Sequence, residues 1–213
     1  MSTFYRHTIL LVSSLLLLVC WASPAFAQVG LNLSSAHGIT VEIDYNVLDF
    51  GQIATDGDRV DIEQEDSRSV VVSIEGIANR DVDVYMYTER STYPNNFLFL
   101  DLGSGDYDEN NKLSAEFFMA FYNRVPPNKE EEDFGTVRGS AIPISGDMAT
   151  FQIQRRTQGP PGPPPTPNHE GYQPDVAKAY IVIYGNLQPA QVNAGKYSET
   201  ITIHVEYADH FSD

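Results

Sequence analysis

Residues 180–207 read YIVIYGNLQPAQVNAGKYSETITIHVEY, and the last eight of them decide the fold class. Ile201, Ile203, Val205 and Tyr207 fall on one face and Thr202, His204 and Glu206 on the other, the period of a half-buried strand. Only six residues follow Tyr207. A β-sandwich whose last strand is nearly its last residue is expected to lack a closing strand, and an open sheet edge is where another chain can pair. The expectation is a protein built for assembly rather than catalysis.

Upstream the same period of two recurs. Ile39, Val41, Ile43, Tyr45 and Val47 alternate with Thr40, Glu42, Asp44 and Asn46, which reads as one unbroken strand. Val70, Val72 and Ile74 continue the pattern, then Val82, Val84 and Met86 after a turn at residues 78–81. Residues 96–102 form a short apolar run, and residues 149–154 and 179–184 supply two further strands. Leu113, Ala115, Phe117, Met119 and Phe121 alternate too, although Leu113, Phe117 and Phe121 would equally line a helix face; the strand-like neighbours favour a strand. Roughly eight strands separated by Gly, Asn, Asp and Pro turns predict an all-β, immunoglobulin-like sandwich.

Three segments carry a family resemblance. Tyr184-Gly185, a short Pro/Gln loop, Gly195-x-Tyr197-x-Glu199-Thr200 and the alternation ending at Tyr207 resemble the C-terminal signature of the spore coat U-like family and the archaic chaperone-usher pilins. LDFGQI at 48–53, with Phe50 and Gly51, is similar to that family's early Leu-x-Phe-Gly element, and FFMAFYNRVPPN at 117–128 resembles its middle strand. Many relatives carry a disulfide, whereas this chain has a single cysteine, Cys20. The resemblance implies a sandwich completed by a donated strand. It further implies other pilin subunits as partners, delivery by a periplasmic chaperone and an outer-membrane usher, and a role in adhesion or biofilm formation.

Residues 1–27 read as a secretory signal: Arg6 and His7 lead, an apolar run follows at 8–19, and Ala25-Phe26-Ala27 supplies the small residues of a cleavage site. Val19 stands where a lipoprotein would place a small residue before Cys20. The mature chain would begin at Gln28, exported through the periplasm to the cell surface or an extracellular fibre, and its core alone must hold the fold. About 186 residues then suit one sandwich domain. No second apolar run is long enough to span a bilayer.

The formal charge of -16 becomes -17 once Arg6 leaves. That excess argues against partners such as nucleic acid or anionic lipid, both of which need Lys/Arg clusters. The acidic run at 130–133 reads as a solvated loop. Residues 158–174, containing GPPGPPPTP, read as an extended loop, since two Gly-x-y triplets cannot sustain a collagen helix.

In the resemblance, the N-terminal extension at 28–38 supplies the donor strand and 39–213 the recipient domain. Val29, Leu31 and Leu33 alternate with Gly30, Asn32 and Ser34 and are the donor candidates, with residues 39–45 as the other candidate segment. An ordinary first strand or a disordered tail would carry the same pattern. Val29, Leu31 and Leu33 are too few to separate these from the residues alone.

No catalytic constellation is evident. His37, His169, His204 and His210 lack metal-ligand spacing, and no Gly-x-Ser-x-Gly or phosphate loop is present. Asp106, Asp108 and Asn110 stand at positions one, three and five of a calcium loop, but Asn111 replaces its Gly and Phe117 its bidentate Glu, so an acidic turn is favoured. Tyr85, Tyr87 and Tyr93 could stack a sugar, although strand aromatics more often form core or cross-strand pairs. No cofactor is implied. Two classes stay open: a strand-exchanging fibre subunit, and a free-standing secreted adhesin or carbohydrate-binding module.

Overall fold

The computed structural model describes residues 25–36, 38–44, 46–53, 57–88, 96–100, 111–124, 133–154, 175–189 and 193–208. Residues 1–24 of the expected signal at 1–27, Tyr93, the calcium candidates Asp106, Asp108 and Asn110, and the Pro-rich segment 158–174 lie outside the described residues. The strands in chain order are β1 (Ala25–Ser35), β2 (Thr40–Ile43), β3 (Val47–Ile53), β4 (Val60–Ile62), β5 (Val70–Ile77) and β6 (Asp81–Thr88). They continue as β7 (Asn96–Leu100), β8 (Lys112–Tyr122), β9 (Ile142–Pro143), β10 (Met148–Gln152), β11 (Val176–Gln188) and β12 (Lys196–Tyr207), with one helix, α1 (Phe134–Ser140), before β9.

The ladder runs β10-β6-β12-β7-β8-β11-β5-β2, with β1 between β12 and β3, β4 on β11 and β9 on β8. β7 pairs with β12 through Phe99 and Leu100 and with β8 through residues 96–99, so it carries the ladder from one layer to the other. The inward faces of β6, β12 and β1 meet those of β5, β8 and β11 in one apolar core, giving an all-β sandwich. Val82, Val84, Ile201, Ile203 and Val205 on one side and Val70, Val72, Ile74, Ile181 and Ile183 on the other are fully buried. Phe121 and Phe151 stack across the layers at 5.0 Å. Each such side chain contributes about 1.5–3 kcal/mol when withdrawn from water.

β11 is buried on both faces. Ala179, Ile181 and Ile183 face the sandwich core, while Tyr180 and Val182 face a second cluster with Tyr122, Ala120, Val71 and, from α1, Val137. This helix is absent from the sequence reading. It spans seven residues, includes Gly135 and Gly139 and buries only Val137, so no apolar stripe announces it. Its placement comes from capping and a clasp: Asp133, the last residue of the expected solvated run, accepts the Thr136 amide at 3.0 Å. Hydrogen bonds from the Thr136 hydroxyl, at 2.6 Å, and from its amide hold the Asp133 carboxyl below the usual carboxylate range. Arg138 donates to Asp44 at 2.9 Å and to the Ser69 carbonyl at 2.8 Å.

The same clasp corrects the expectation of one unbroken strand over 39–47. The run divides into β2 and β3, because the Asp44 carboxylate turns to the Val71 amide at 2.8 Å and to Arg138 instead of continuing the pleat. A largely buried ion pair that also caps backbone groups is costly to break on one side only.

Candidate functional site

β1 bridges two strands that do not otherwise meet. It runs parallel to β12, from Phe26 opposite Lys196 to Ser35 opposite Val205, and antiparallel to β3, from Ala25 opposite Ile53 to Gly30 opposite Val47. Among the described residues β1 is the only ladder partner of β3. The edges of β3 and β12 therefore bound a groove whose occupant is β1, and the floor of that groove is the sandwich core.

The donor candidates line its inner side. Val29 is fully buried, and Leu31 and Leu33 are partly buried against the same core. The strand also extends upstream of the expected mature start at Gln28, burying Ala25 and Ala27 while Phe26 points outward at 49% exposure. The structure thus places residues 29–33 in the chain's own sheet, paired with its own last strand. The other candidate segment, 39–45, contributes buried Ile39 and β2, an end strand of the ladder on β5.

The motif residues shape this groove and its surroundings. Leu48 and Phe50 of β3 are buried, and Gly51 has φ +75°. The Asp49 carboxylate accepts the Gly51 amide at 2.8 Å. There the register on β1 steps from Ala27–Gly51 to Gln28–Asp49, so Phe50 is the extra residue of a bulge. Gly185 has a packing reason: a Cβ there would lie 2.4 Å from the Glu116 carbonyl oxygen. Tyr184 beside it packs on Phe118, ring centroids 5.5 Å apart, and burial raises its phenol pKa.

Gly195 accepts the Phe26 amide at 2.9 Å, which ties the start of β12 to the start of β1. Tyr197 is fully buried and donates to the Asn193 carbonyl at 2.5 Å, and burial raises its phenol pKa. A tyrosine near the start of a strand bonding the backbone four residues upstream is the corner device of immunoglobulin-like sandwiches.

On β12, Ile201, Ile203 and Val205 are fully buried as the alternation predicts. Tyr207 is half-buried, and its hydroxyl donates to Gly38 and accepts from the Ile77 amide. Two residues depart from a plain apolar/polar split. Thr202, on the expected polar face, is 5% exposed, and Glu199, on the inner face, is 1% exposed with one oxygen accepting the Thr200 amide at 2.7 Å. Sequence parity with Tyr197 and Ile201 was the signal that could have found Glu199.

His204 lies on the outer face of the β1–β12 seam, 3.1 Å from the Ser34 hydroxyl and 3.6 Å from Glu206. Its ring neighbours Tyr85 across the ladder, centroids 6.1 Å apart, so Tyr85 forms a cross-strand pair, and Tyr87 is half exposed beyond it. Among the described residues no group of His, Cys, Asp or Glu is arranged to hold a metal, and no helix is long and apolar enough to cross a membrane.

No family model and no curated protein matches the chain. Among solved structures it is similar to CfaE, the adhesive subunit of the CFA/I fimbria of enterotoxigenic Escherichia coli, at 8% identity and a TM-score of 0.28. That alignment covers 84% of this chain and 46% of CfaE, so the chain spans about half the length of that protein.

Proposed function

We propose that the chain is an exported structural subunit of a surface pilus or fibre, assembled by donor-strand exchange between copies or with related subunits. The observation that carries this reading is the position of β1: among the described residues an N-terminal strand is the sole occupant of the groove between β3 and β12. A terminal strand can leave without threading any loop, and the same groove can then take the equivalent strand of a neighbour.

Energetics make such a vacancy unstable. Removing β1 uncovers Val29, Leu31 and Leu33 and leaves two unpaired edges, a loss of about 4–7 kcal/mol by side-chain burial alone. That is comparable with the whole stability of a domain, about 5–15 kcal/mol. An emptied groove therefore leaves a weakened domain that is restabilised when the groove is filled, by another subunit or by the periplasmic chaperone that the resemblance implies. The two edges run antiparallel to each other, so an incoming strand meets one parallel and one antiparallel partner in either orientation. On this reading, cleavage after Ala27 shortens β1 by Ala25, Phe26 and Ala27.

A second reading, a free-standing adhesin or carbohydrate-binding module, is favoured by the same strand, because β1 closes the chain's own sheet as a monomer would. The two separate on one experiment. Deleting residues 28–35 abolishes detergent-resistant multimers and leaves a subunit that binds the peptide 28–35 if strands are exchanged. A module would be monomeric with or without that peptide.

A further inference from the structure

We propose that Tyr207 is a latch on the β1–β2 junction, and that it sets how readily β1 leaves its groove. The latch stands on geometry; its consequence for assembly rests on the strand-exchange reading above.

β1 ends at Ser35 and β2 begins at Thr40, and the described residues of the hinge between them are Ala36, Gly38 and Ile39. The hinge is short and tied down. The Ala36 amide donates to Val205 at 2.9 Å, the Ile39 amide to Ala36 at 3.2 Å and the Ser35 hydroxyl to Ile39 at 3.0 Å. Gly38 has φ +85°, a conformation that L side chains rarely adopt. Its carbonyl accepts from the Tyr207 hydroxyl at 3.1 Å, while the phenol oxygen of Tyr207 accepts the Ile77 amide at 2.9 Å. A phenol can donate and accept together, so one atom joins the hinge to the end of β5. The Arg80 guanidinium lies 4.2 Å over the Tyr207 ring.

This constellation is selective for β1. β12 is held by fully buried Ile201, Ile203 and Val205, and Tyr207 keeps its ladder position opposite Val82 whether or not its hydroxyl is present. The Gly38 carbonyl, by contrast, has to move if a four-residue hinge is to swing β1 out. Loss of the hydroxyl therefore frees the hinge before it affects the sandwich.

The test is amide hydrogen exchange on the purified protein, comparing β1 with β5 and β11, for Tyr207→Phe and separately for Gly38→Ala. The phenylalanine variant keeps the ring under Arg80 and loses both hydrogen bonds. The alanine variant disturbs the hinge without touching Ile77, and its Cβ would sit 3.9 Å from the Tyr207 ring, an ordinary contact. Both should exchange the amides of Leu31 and Ala36 roughly five- to tenfold faster, with β11 unchanged and β5 unchanged apart from the Ile77 amide, which loses its acceptor in Tyr207→Phe. Equal acceleration of all three strands, or unchanged protection of β1, overturns the latch. Selective release of β1 without any change in multimer formation upholds the latch and counts against strand exchange. Faster multimer formation with unchanged β1 protection does the reverse.

Discussion

Replacing Leu31 and Leu33 together by Asp should open the groove while sparing the sandwich. Both side chains are partly buried against the core, so together they contribute about 2–4 kcal/mol to the docking of β1. A carboxylate at either position must stay hydrated, which drives the strand outward. A loss near 3 kcal/mol raises the population of the vacated groove by about two orders of magnitude. Because a ligand's apparent affinity scales with the fraction of binding-competent protein, the variant should take up a labelled wild-type peptide 28–35 about 100-fold more tightly than the parent. Fluorescence anisotropy measures the uptake, and amide protection in β5 and β11 verifies that the domain is folded. The variant should also fail to donate its own strand and form no multimers. A folded variant that takes up the peptide no better than wild type refutes the claim that β1 and the peptide compete for one groove.

Three further outcomes follow from the packing. Ile203→Asp places a charge at a fully buried position and should yield no folded protein; normal levels of folded variant would contradict the placement of β12. Gly185→Ala forces a Cβ to within 2.4 Å of the Glu116 carbonyl and should cost about 1–3 kcal/mol in thermal or denaturant melts. Burial raises the phenol pKa of Tyr184 and Tyr197, so the folded state holds their protons more firmly than the unfolded chain does. The stability this gives is complete below the unfolded tyrosine value of about 10 and is lost as pH rises through and above it. Tyr184→Phe should therefore flatten the decline in stability above about pH 10, which urea melts at successive pH values would record.

Most of the strands were legible in the sequence because their burial is one-sided; β11, buried on both faces, was legible as a short apolar run instead. Ile201, Ile203 and Val205 alternate cleanly, and the strand choice for Leu113 to Phe121 agrees with β8, whose Leu113, Phe117 and Met119 all reach the core. Strand number was underestimated, since β4 and β9 have three and two residues and offer no periodicity to read. α1 was illegible for a related reason: its position depends on Asp133 and Arg138 meeting partners rather than on an apolar stripe. The division at Asp44 is likewise a tertiary effect, set by a residue 94 positions away in the chain. For the site, Val29, Leu31 and Leu33 offered a strand at the N-terminus without separating it from a disordered tail. Alternation alone carries no information about which edge a strand joins, and the parallel pairing with β12 joins residues about 170 positions apart, beyond any local signal. Gly185 was recognised by resemblance, and its physical reason, the approach of the β8 backbone, needed the fold.

The most direct test of the central claim is the size distribution of the wild-type protein, run in detergent without heating, with and without excess peptide 28–35 present during assembly. Strand exchange predicts a ladder of multimers that collapses toward monomer as the peptide caps each groove. A single monomeric species that ignores the peptide contradicts it, and would leave β1 as the ordinary closing strand of a free-standing module.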